Sequence, residues 1–198
     1  NAKQKELEDY TKTIFDTHQN RVNELLQTLG TDFKITDLTG KTDERANEAY
    51  SDFAFLILEK KVPIRTTQDD APSFKNTLSE GDKSTLAFAF FVAALEKSQD
   101  LNQRIVVFDD PLSSLDDNRR EATARILMEL SPKVKQLCVF THKKDFLWML
   151  FDKIPYNTAL RIRSDKKHGS RLDVFDVEED RKSDYIRAAS ASACLRTS

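Results

Sequence analysis

The sequence predicts an α/β fold with a parallel central sheet, and three observations carry that prediction. Two short apolar runs, Ile105-Val106-Val107-Phe108 and Leu137-Cys138-Val139-Phe140, end in polar groups, Asp109-Asp110 and Thr141-His142. Parallel strands read this way where they leave a buried sheet. Helix-period segments flank these runs at 86–95, 117–130 and 145–151, and such strand–helix–strand alternation across 79–152 closes through right-handed crossovers. Finally, the 198 residues are 39% hydrophobic and 32% charged, the balance of a folded chain in water.

In chain order the first element is a long amphipathic helix. Leu7, Tyr10, Ile14, His18, Val22, Leu25 and Leu29 recur at steps of three and four, and Gly30 follows where a helix C-cap glycine belongs. The stripe is nearly a heptad seam, so the segment is either a coiled-coil arm or a helix laid on its own domain. His18 lies on that stripe as a packing residue, with no second metal ligand near it in sequence. Phe33-Lys34-Ile35-Thr36 alternates as a half-buried strand does. Thr39 to Ala49 reads as a polar loop, Phe53 to Leu58 as a strand, and Lys61 to Ile64 as its return, which Pro63 assigns to a sheet edge. Asp69, Asp70 and Pro72 mark a turn.

Leu86 to Leu95 is apolar on every side, which predicts a helix buried all round. Pro132 stops the helix that begins at Asp117, and Leu160 to Arg163 with Arg171 to Val177 make a late hairpin around Gly169. The terminal ASASACLRTS has no period and is expected to fray. The predicted organisation is a helical arm over 1–30, a β-rich connector over 31–71, an α/β lobe over 72–178 and a disordered tail over 179–198.

Charge and composition exclude several function classes. Lys and Arg number 31 against 33 Asp and Glu, a formal net charge of −2, so the chain is no generally cationic nucleic-acid coat. A local basic stretch, Arg161, Arg163, Lys166, Lys167 and Arg171, either touches phosphates or is a solvated hairpin. No apolar run approaches the roughly 18–20 residues that cross a bilayer, so no membrane partner is expected. Cys138 and Cys194 make neither a disulfide framework nor a metal cluster, and predict a reducing, cytoplasmic setting.

Three loops carry candidate chemistry. In Leu78-Ser79-Glu80-Gly81-Asp82-Lys83-Ser84 a serine hydroxyl, a glycine and the free N–H groups of a helix start make an anion site, or simply an N-cap. It is no nucleotide P-loop, because that motif needs glycine directly before the lysine, where Asp82 stands. In Ile105 to Asp116 (IVVFDDPLSSLD) adjacent carboxylates at a strand end point to opposite sides. One can hold Mg²⁺ while the next faces a water to be activated, the alternative being a capping turn. In Phe140-Thr141-His142 a histidine just past a strand is placed to touch a phosphate or an attacking water.

The order LSEGDKS, IVVFDDPLSSLD, CVFTHKKDF resembles the ABC-type ATPase head, with its signature loop, Walker B strand, D-loop and H-loop. The N-terminal arm is similar to that of the SMC and break-repair branch. SFKNTLSEGDKSTLAFAFF and VVFDDPLSSLDDNRR resemble more closely the ATPase part of the RloC/PrrC anticodon-nuclease group, the wobble-nucleotide-excising tRNases. The resemblance implies that Ser79, Gly81 and Lys83 bind the γ-phosphate of ATP held by an opposite head. It implies that Asp109 orders Mg²⁺, Asp110 stands at the catalytic glutamate, Asp116 is the D-loop acid and His142 the switch histidine. Aspartate at 110 departs from the general pattern. Four glycines, Gly30, Gly40, Gly81 and Gly169, leave no Walker A loop. The chain therefore resembles the C-terminal lobe of a head, expected to need an N-terminal lobe bearing the P-loop and a second head, a homodimer being expected, with tRNA or DNA as the nucleic-acid partner of the assembly.

Overall fold

A computed structural model describes residues 16–43, 48–63, 77–111, 117–155, 157–165, 169–182 and 186. The expected arm before residue 16, the turn around Asp69 to Pro72, and Asp116 lie outside them. Chain packing divides the molecule into two units, Asn1–Thr141 and His142–Ser198.

The first unit opens with helix α1, residues 16–28. Gly30 ends it at φ 69. Its N–H donates to the Gln27 carbonyl at 3.0 Å and the Thr31 N–H donates to Leu26 at 3.1 Å, the paired bonds of a Schellman motif, whose left-handed residue favours glycine. Val22, Leu25, Leu26 and Leu29 are buried, so the stripe faces the unit's own core. Of the two readings of this segment, over 16–28 the helix lies on its domain.

Strands β1 (Phe33–Asp43), β2 (Glu48–Ile57) and β3 (Lys60–Pro63) form an antiparallel sheet in the order β1-β2-β3. The polar loop expected over 39–49 is mostly strand: β1 continues to Asp43 and β2 begins at Glu48. Backbone pairing there runs from Thr39↔Asp52 to Asp43↔Glu48, and a hairpin ladder needs no apolar alternation to form. The register shifts between Thr36 and Thr39, where Asp37 has φ 57, the signature of a bulge. β3 is an edge strand, as Pro63 requires. Leu58 and Glu59 join β2 to β3 with φ 47 and 63, a two-residue turn with both residues left-handed.

Polar side chains of α1 satisfy the outer edge of β1. The Ile35 N–H donates to Asn23 Oδ1 at 2.8 Å, and Asn23 Nδ2 donates to the Ile35 carbonyl at 2.9 Å. One turn earlier, Gln19 Oε1 accepts from the Leu38 N–H at 3.0 Å. Helix and sheet edge are thereby locked in register.

Helix α2 (Glu80–Glu96) is the centre of the unit. On one side Phe90 meets Phe53 of β2 and His18 of α1, at ring separations of 5.2 and 5.9 Å. On the other, Phe88 and Phe91 meet Phe108 at 5.5 and 5.4 Å. The helix is not buried all round: Ala87, Phe91 and Ala94 are exposed along one stripe, the described elements gripping it on two sides. At its C-terminal end Glu96 accepts a two-pronged bond from Arg21 of α1, Nε to Oε2 at 2.6 Å and Nη2 to Oε1 at 2.9 Å.

Phe108 belongs to β4 (Ile105–Asp109), which pairs parallel with β5 (Gln136–Phe140) from Ile105↔Gln136 to Asp109↔Phe140. Helix α3 (Asp117–Leu130) is the crossover between them and ends one residue before a single 3₁₀ turn at Ser131–Lys133 that holds Pro132. The expectation of a buried sheet is corrected for β4. Val106 and Phe108 are buried, while Ile105 and Val107 are 59% and 50% exposed, α2 packing on the Phe108 face.

The second unit holds α4 (Lys144–Lys153) and the hairpin of β6 (Leu160–Asp165) and β7 (Gly169–Val174). Gly169 turns at φ 80. Residues 177–182 are helical (α5), so regular structure continues past 178. Arg163 and Arg171 both pair with Asp173, and Arg161 pairs with Asp180 while lying over the Phe175 ring at 3.9 Å. The three described arginines of the basic stretch are thus each paired, two with Asp173 of the hairpin and one with Asp180 of α5, which also takes Lys144.

Two stability predictions arise from these contacts. Arg21 holds the Glu96 carboxyl below the ordinary carboxylate range, chiefly by its hydrogen bonds, and burial lowers His18 below the ordinary imidazole range. Both native groups resist protonation, so stability is full above about pH 6.5, falls first through His18, and falls again below about pH 4.5 through Glu96. Glu96→Gln should cost about 1–2 kcal/mol at neutral pH and remove the lower step, measured by denaturant titration across pH. Leu58→Asn with Glu59→Gly should raise stability by about 1 kcal/mol in the same titration, because those residues suit the left-handed turn.

Candidate functional site

Residues at the start of α2 and at the end of β4 are brought into one unit by the Phe88–Phe108–Phe91 contact. Ser79 is the N-cap of α2, with φ −65 and ψ 163. Its Oγ accepts from the Asp82 N–H at 3.1 Å and donates to Asp82 Oδ2 at 2.7 Å. The Lys83 N–H is taken by the Ser79 carbonyl at 3.0 Å. Helix geometry leaves the N–H groups of Glu80 and Gly81 with no acceptor inside the helix, and they sit where the macrodipole is positive. Ser79 is exposed and Gly81 half-buried. One turn on, buried Thr85 donates its hydroxyl to the Gly81 carbonyl at 2.8 Å, pinning the glycine from below.

The loop's charges are matched. Lys83 Nζ meets Glu80 Oε1 at 2.7 Å, and Arg119 Nη2 of α3 meets Asp82 Oδ1 at 3.1 Å. Arg119 was not singled out among the candidate residues. Its signal is present in Asp117-Asn118-Arg119-Arg120: cations in the first turn of a helix oppose the macrodipole, so a partner carboxylate is to be expected.

Asp109 closes β4 beside Phe140 and is exposed on the same face as Ile105 and Val107. Asp110 is half-buried at φ 44, a left-handed corner that aspartate tolerates better than most residues. The Asp110 N–H donates to the Phe140 carbonyl at 2.9 Å, which carries the parallel ladder one step beyond the strand. The change of backbone hand separates the two carboxylates, one solvent-facing and one turned inward. An exposed carboxylate at a strand end has the hard oxygen donors that Mg²⁺ takes. His142 is exposed, two residues beyond Phe140, and opens the second unit.

Comparison with known proteins agrees with this architecture. Over 145 residues, 71% of this chain, it is 25% identical to the DNA double-strand break repair Rad50 ATPase of Thermoplasma acidophilum, of which it spans 15%. An Smc head domain with a coiled coil and joint from Pyrococcus yayanosii superposes with a TM-score of 0.60 and 17% identity, covering 90% of this chain and 30% of that one. A chain from a study of ATP-driven dimerization and DNA-stimulated activation of SMC ATPases superposes at 0.57 with 16% identity, covering 91% and 96%. The fold is thus that of SMC ATPase head domains. The AAA domain family matches residues 48–191, a span that holds the Ser79 loop, both parallel strands and His142. On that match, the chain belongs to the AAA domain family.

Proposed function

We propose that this chain is the C-terminal lobe of an ABC-type ATPase head of the SMC/Rad50 kind. In this reading a helical segment covers 1–30, lying on the domain over 16–28, the connector covers 31–71, and the lobe begins at 72 and takes in α5. The observation that carries it is the packing of α2 on β4, which joins a capped helix N-terminus and a paired-acid strand end within one unit.

Ser79, Gly81 and Lys83 bind the γ-phosphate of ATP presented by a second head. Asp109 holds Mg²⁺, Asp110 polarises the attacking water, and Asp116 and His142 complete the D-loop and H-loop contacts. The ion, bound there with ATP, supplies charge neutralisation on the phosphates. What the chain's own residues do is orient: the helix start offers N–H donors to the transferring oxygens, and the half-buried Asp110 is shielded from bulk water. The P-loop comes from an N-terminal lobe, so hydrolysis depends on two surfaces meeting. ATP-driven dimerization, described for one of the SMC ATPases similar to this chain, supports that reading.

For the output, the likeness to Rad50 and Smc heads supports an SMC-like assembly that tethers nucleic acid. A coupled anticodon nuclease in phage defence rests on the sequence resemblance to the RloC/PrrC group alone. Preferential binding of duplex DNA by the assembled head favours the first, and preferential binding of tRNA the second.

The isolated chain should show no turnover of Mg²⁺-ATP, measured by phosphate release. Adding a lobe that bears the P-loop should restore it, and Asp109→Asn in that assembly should lower kcat by about 10²-fold or more. Robust hydrolysis by the isolated chain would overturn the assignment.

A further inference from the structure

The phosphate loop carries two carboxylates, and they are not equivalent. Glu80 is 85% exposed in its side chain and pairs with Lys83 three residues on in the same helix, an exposed bond that a ligand can displace at little cost. Asp82 is only 25% exposed, fixed by Ser79 Oγ on one oxygen and by Arg119 on the other. Its charge cannot swing into solvent, so it faces any polyanion that approaches Ser79 and Gly81.

Ser79 adds a second conflict. To donate to a phosphate oxygen its hydroxyl must leave Asp82 Oδ2, breaking an exposed hydrogen bond and leaving the carboxylate to Arg119, whose contact with it is part-buried. The Arg119 guanidinium, 18% exposed and 37 residues away in sequence, remains on the other oxygen. It carries the Asp82 charge when the serine departs, and its planar fork suits a carboxylate already held in place.

We propose that Arg119 is a positioning residue of the phosphate loop: by neutralising Asp82 it frees the Ser79 hydroxyl and the Gly81 turn to receive a polyphosphate. This rests on the reading of that loop as a phosphate site. Arg119 touches no phosphate itself. Because it stands in the first turn of α3, it also ties the start of that crossover helix to the start of α2.

The test uses the 198-residue chain and inorganic tripolyphosphate at low ionic strength, read from the amide NMR shifts of Ser79 to Lys83. Arg119→Gln should weaken binding roughly three- to tenfold. Arg119→Lys, which keeps the charge, should stay within about twofold of the unsubstituted chain, and Arg119→Gln combined with Asp82→Asn should recover most of the loss. A merely structural arginine is rescued by neither. Unchanged binding in Arg119→Gln, or failure of both rescues, would refute the role of Arg119. An unsubstituted chain whose Ser79 and Gly81 amides ignore tripolyphosphate would instead refute the phosphate site and, with it, this proposal. If Arg119→Gln alone does not fold, Arg119→Lys and the double variant still decide the matter against the unsubstituted chain.

Discussion

The geometry of the first unit depends on Phe108 being held between Phe88 and Phe91. These contacts fix α2 against β4, with ring separations of 5.5 and 5.4 Å. Each such pair adds roughly 0.5–1.5 kcal/mol beyond simple area burial, and their tilted and edge-on geometry restricts how the helix can slide. Because Ser79 caps that helix and Asp109 follows Phe108 directly, a packing constraint sets the separation of two polar features. On the far side of α2, Phe90 continues the same arrangement to Phe53 and His18.

Arginines from other elements anchor both ends of α2. Glu96 places a negative charge where the helix dipole is already negative, which is unfavourable without a cation, and Arg21 supplies it. Asp82 stands at the favourable end, yet its partner Arg119 accepts an unfavourable position on α3. Each bond thus couples two helices rather than simply decorating a surface. Apolar packing sets how far α2 lies from its neighbours, and these ion pairs set its rotation and axial position.

The sequence was most informative where a residue's own chemistry dictates backbone form. The two apolar runs read as parallel strands and are, Gly30 and Pro63 mark the helix end and the edge strand they occupy, and Ser79 reads as the cap it is. Periodicity failed where pairing is made by backbone alone. Thr39 to Asp43 and Glu48 to Ala49 look like loop because a polar hairpin ladder has no apolar signal. It also overestimated burial: an all-apolar stretch such as 86–95 predicts a covered helix, but cover depends on which elements reach it, and Phe91 remains 46% exposed. Long-range ion pairs are harder still. Arg119 lies 37 residues from Asp82, and only its awkward place at a helix start hints at a partner.

Asp110 turns the chain at φ 44, a left-handed corner directly after β4. Left-handed backbone crowds any Cβ, and aspartate tolerates it better than most residues because its short polar side chain can hydrogen-bond locally. The preference is mild, since Glu59 holds φ 63 in the β2–β3 turn, so a longer acid at 110 would add torsional cost without being barred.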